Sequence, residues 1–135
     1  MKSWLRLLSR GGTDKCYRST VKCASQTMPG VRFRIRRISL GRRIALAEAI
    51  RGLAAKMEFH QAKAGVEDQV KAATLAASID RVYLTWGLVS VSGLRIDGAP
   101  ASVERLYEDG PEEFTREVIS RIKSECGLSE QERKN

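Results

Sequence analysis

Soft metal ligands are scarce in this chain. There is one histidine, His60, and three cysteines, Cys16, Cys23 and Cys126, no two of them at C-x-x-C spacing. That set is too small and too scattered for a zinc site, and its odd count makes no disulfide framework. Reduced thiols in a cytoplasmic protein are expected, with no metal and no other cofactor. No apolar run approaches the ~18 residues that a membrane-spanning helix needs. The patch in "MKSWLRLLSR" is interrupted by Arg6 and Arg10, which argues against a secretory signal. Catalytic signatures are missing too: G-x-S-x-G, G-x-x-x-x-G-K-[ST] and H-E-x-x-H do not occur. His60 sits in "EFHQA" near a helix end without an evident orienting acid, and reads as a surface histidine. Cys126 falls on an apolar helix stripe, where a buried thiol is expected rather than a nucleophile. The expectation is a protein that is not an enzyme.

Acidic residues are absent from one stretch in particular. "VRFRIRRISLGRR", residues 31–43, holds Arg32, Arg34, Arg36, Arg37, Arg42 and Arg43 and no carboxylate. Of the net +8 over 135 residues, the first 43 residues hold twelve Lys or Arg against Asp14 alone, a local +11. The remainder is mildly acidic, so only the N-terminal third can attract polyanions. With 42% apolar residues the chain has enough to build one small core.

Patterning along the chain predicts an α+β fold dominated by helices. Residues 1–30 show no periodicity, carry the breakers Gly11-Gly12 and Pro29-Gly30, and read as a basic disordered extension, with translation starting at Met28 as one explanation. Residues 31–36 alternate, placing Val31, Phe33 and Ile35 on one face and three arginines on the other, as a half-buried strand does. An αα-hairpin follows, with helices over about 40–64 and 66–86. Ser39 is its N-cap, Gly65 stops the first helix, and the apolar stripes are Ile44, Leu46, Ala47, Ile50, Leu53, Ala54 and Met57, then Leu75, Ile79, Val82, Tyr83 and Trp86. Trp86 is expected in the core. "LVSVSGLRIDG" reads as a β-hairpin closed by Asp97-Gly98, adding to residues 31–36 in a small antiparallel sheet. A short helix near 102–107 precedes a C-terminal helix over about 111–126, with Pro111 in its first turn, Phe114, Val118, Ile122 and Cys126 inward, and a left-handed Gly127 at its end. Residues 31–128 are thus one globular domain and 129–135 an exposed mobile tail.

Two surfaces are candidates for binding. Arg32, Arg34 and Arg36 project together from the strand and, with Arg37, Arg42 and Arg43, suit phosphates or an acidic partner. No stacking aromatic accompanies them, since Phe33 faces the other way, so shielding of an exposed sheet edge is the competing explanation. The second surface is the chain end: Ser129 and Glu132 have capping-box spacing. Leu128, Ser129, Glu132, Arg133 and Lys134 would then form a recognition element that completes its helix on a partner.

"WGLVSVSGLRIDG" followed by "EDGPEEFTREVISRIKSECGLSEQERKN" resembles small proteins encoded among tailed-phage and prophage tail genes, nearest to the phage tail assembly chaperones. The resemblance spans residues 31–135. It implies a largely helical cytoplasmic protein that binds the long helical tape-measure protein before the tail tube assembles around it, often made in a second, longer form by frameshifting. The alternative expectation is a small basic protein that binds nucleic acid through residues 32–43.

Overall fold

A computed structural model of the chain describes residues 14–127. In chain order its elements are β1 (Thr20–Ala24), β2 (Arg32–Arg36), α1 (Leu40–Gln61), α2 (Val66–Gly87), β3 (Leu88–Ser92), β4 (Arg95–Ile96), β5 (Ala99–Pro100), α3 (Val103–Asp109) and α4 (Glu112–Glu125). The architecture is α+β and helix-dominated. The tail residues Leu128, Ser129, Glu132, Arg133 and Lys134 lie outside the described residues.

β1, β2 and β3 form an antiparallel sheet in the order β1-β2-β3. This corrects two expectations. Residues 20–24 are not a disordered extension but an edge strand, in which Val21 and Cys23 stand opposite Ile35 and Phe33. "TVKCA" alternates over five residues, too short a run to be told from noise without its partner strand. The third strand is therefore β1, not residues 94–96. Arg95–Ile96 instead pairs with Ala99–Pro100 as a separate two-stranded ribbon across Asp97-Gly98, where φ is 52° and 81°. Positive φ at both central residues is what a type I′ hairpin turn requires. The sheet's β3 also carries a bulge. Arg34 faces Ser90 while Ile35 faces Leu88, so Val89 is the extra residue and stays partly exposed, apart from Leu88 and Val91.

Ser39 caps α1 as its sequence predicts, its hydroxyl accepting from the Arg42 N–H at 3.3 Å. The helix ends at Gln61, short of residue 64, and Gly65 serves as the N-cap of α2 with φ −68°. It is not a left-handed stop. α2 runs into β3 without a loop, at Gly87. A Cβ there would lie 2.6 Å from Ile122 Cγ2, so glycine is what lets α4 approach this closely. Gly127, at φ 71°, closes α4 in the expected left-handed conformation.

The core lies between the inner face of the sheet and α2, α3 and α4. Phe114, Val118, Ile122 and Cys126, four apart, are essentially unexposed, and the Phe114 ring meets Phe33 edge-to-face at 5.8 Å. Val31, Phe33, Ile35, Tyr83, Leu84 and Leu106 belong to the same cluster. α1 is different. It packs on α2 and makes no comparably broad contact with any other element, so Leu46 is its one buried residue while Ile44 and Leu40 are exposed. Among the described residues no helix is long and apolar enough to cross a membrane.

Candidate interaction surfaces

The fold distributes the arginine run over three environments. β2 is the middle strand, so the row Arg32, Arg34, Arg36 shields no sheet edge. It stands on the face turned away from the core, since Val31, Phe33 and Ile35 take the inner one. Arg34 is held by a hydrogen bond from its Nη1 to Thr20 Oγ1 at 3.2 Å. Arg37 has its guanidinium carbon 5.7 Å from the centre of the Tyr17 ring. Arg43 reaches across to α4, where its Nη2 donates to the Cys126 carbonyl at 3.0 Å. A cation there complements the negative end of the helix, so Arg43 is structural. Arg42 is exposed on the first turn of α1. The sequence pattern joins six arginines; Arg32, Arg34 and Arg36 share a row on the sheet, Arg37 borders a depression with Arg34, and Arg42 and Arg43 belong to α1.

Sequence reasoning missed two cations, Arg18 and Lys22, and one ring. The pairing of β1 sets Lys22 directly opposite Arg34, and the chain leading into β1 carries Tyr17, 71% exposed, alongside Arg37. Cys16, Tyr17, Arg18, Lys22, Arg34 and Arg37 border one depression of about 510 Å³, and Lys22 and Arg34 also border a second, of about 480 Å³, beside Arg32, Ser90 and Ser92. Nothing in the sequence of residues 14–24 announces this, because the grouping depends on strand register.

The second surface is apolar. A groove of about 440 Å³ runs between α1 and α2, floored by Leu46, Leu53 and Val82 and flanked by Ala45, Ala49 and Trp86. Trp86 is half-buried at its wall, packed against the core rather than enclosed in it. The far end of the hairpin is clipped by His60, whose Nδ1 lies 2.8 Å from Asp68 Oδ1. His60 thus has the acidic partner that its local sequence does not reveal. That hydrogen bond, ahead of the opposing effect of burial, holds the Asp68 carboxyl below its ordinary range.

Burial, partly countered by Arg43, pushes the Cys126 thiol up, which leaves it a poor nucleophile. No group of three His, Cys, Asp or Glu side chains that could hold a metal occurs among the described residues. No family model matches this sequence, and no curated protein and no solved structure matches it either.

Proposed function

We propose that this protein is a non-catalytic binding protein that seats an amphipathic helix of a protein partner in the groove between α1 and α2. The observation that carries this reading is the state of α1: twenty-two residues with a single buried side chain. The groove on its α2-facing side is bordered by Leu46, Leu53, Val82 and Trp86, with the small Ala45 and Ala49 on the α1 rim. A long helix with an apolar flank open to water gains stability when a second helix covers it, and the regular spacing of Ala45 and Ala49 admits a closely packed one. The resemblance to phage tail assembly chaperones agrees with such a partner, a tape-measure-like helical protein met in the cytoplasm.

The test uses purified long helical proteins encoded by neighbouring genes, with binding measured by calorimetry. Ala49→Trp fills the groove from the exposed side of α1. It should weaken binding by about tenfold or more while the circular dichroism spectrum is unchanged. Equal binding by the filled variant, or no binding by any of these proteins, overturns the reading. So does a wild-type dimer that Ala49→Trp dissociates in light scattering, which would give the groove to a second copy.

A further inference from the structure

The outer face of the sheet is a cationic surface that the helical-partner reading leaves unused. On β2 the side chains of Arg32, Arg34 and Arg36 follow one another at two-residue intervals, about 6.7 Å apart for strand geometry. Lys22 stands opposite Arg34 on one side. Small hydroxyl side chains, Ser90 and Ser92, stand opposite Arg34 and Arg32 on the other. Among the described residues none of these four cations lies within 4 Å of a carboxylate; the ion pairs are His60–Asp68, Lys71–Glu67, Arg116–Glu112 and Lys123–Asp80. Like charges directly opposite across a ladder destabilise a sheet, so the Lys22/Arg34 pair is a standing cost that a bound anion would offset.

We infer that this face binds the backbone of single-stranded nucleic acid, one phosphate to each successive arginine of β2, with a base stacked on Tyr17. The spacing of the arginines favours an extended strand over a compact anion. Arg34 is pre-oriented by Thr20, so less side-chain freedom is lost on contact. Tyr17 decides between nucleic acid and an acidic protein. Its ring is largely exposed and borders the depression that Lys22 and Arg34 also line, where a nucleobase can stack. Contact runs through phosphates and ring faces, so no base sequence is preferred.

Fluorescence anisotropy with labelled oligothymidylate and oligouridylate of about twelve nucleotides tests the inference. With a phosphate at each of the three β2 arginines and a fourth at Lys22, binding should weaken about sevenfold for each doubling of salt. Lys22→Gln with Arg34→Gln should lower affinity at least tenfold and flatten that dependence. Tyr17→Ala should weaken binding roughly five- to hundredfold and leave the salt dependence as it was, because a ring carries no charge. Arg42→Gln, off the face, should bind like the parent. No binding by the parent at low salt overturns the proposal, as does equal loss from Arg42→Gln. Competition by polyglutamate as strong as by oligonucleotide, with no effect of Tyr17→Ala, would assign the face to an acidic protein instead. A preference for oligouridylate or for oligothymidylate names the natural strand, and either supports the site.

Discussion

Glu117, on the outer side of α4, accepts hydrogen bonds from the Gln26 N–H at 2.6 Å and from the Ser25 and Thr27 hydroxyls at 2.7 and 2.8 Å. These contacts fasten the loop after β1 to a helix about ninety residues away in sequence. Burial raises the carboxyl's proton affinity, yet the hydrogen bonds to its charged form outweigh that and hold it below its ordinary value of 4.5. Above that value the carboxylate is ionised in folded and unfolded chains alike, and its contribution is fully present. As pH falls the unfolded chain protonates first, and the contribution is lost down through the lower folded value. Glu117→Ala should therefore destabilise the protein by about 1–2 kcal/mol at neutral pH, after allowing for the site's partial exposure. Urea titrations across pH check this: parent and variant should converge on acidification below pH 4.5. A gap that stays constant would mean that packing, not charge, holds the loop.

At the scale of elements, the junction of α2 and β3 packs directly on α4. Gly87 faces Ile122 with no space for a methyl group. Gly87→Ala should cost about 1–3 kcal/mol through overpacking, despite the helix propensity that alanine adds. Combined with Ile122→Val the penalty should shrink, giving a coupling in the double-mutant cycle of at least about 0.5 kcal/mol. Independent, additive losses would show that the two do not compete for one space. The hairpin of α1 and α2 obeys different physics. Its stripe of Ile50, Leu53, Ala54 and Met57 is only half-buried, so substitutions there should alter partner binding more than stability.

At the scale of the whole molecule, β1 joins residues that a local reading sets aside to the centre of the sheet. A chain beginning at Met28 would lack β1, expose the second edge of β2 and remove the Ser25 and Thr27 hydroxyls from Glu117. Such a chain should lose several kcal/mol or aggregate through β2, as a bare strand edge invites. Matching denaturation curves for the chains starting at Met1 and at Met28 would refute this. The sequence by itself determined whatever depends on neighbours within one or two turns. The Val31-Phe33-Ile35 alternation, the Ser39 cap, the fourfold spacing from Phe114 to Cys126 and the left-handed Gly127 all read correctly from side-chain period and backbone preference. Tertiary structure decided whatever depends on register and docking: that β1 is a strand, that β2 is central, that Arg43 leaves the arginine row to cap α4, and that Lys22 and Tyr17 enter the basic face. Those outcomes follow from pairings between residues far apart in the chain, which no local pattern encodes.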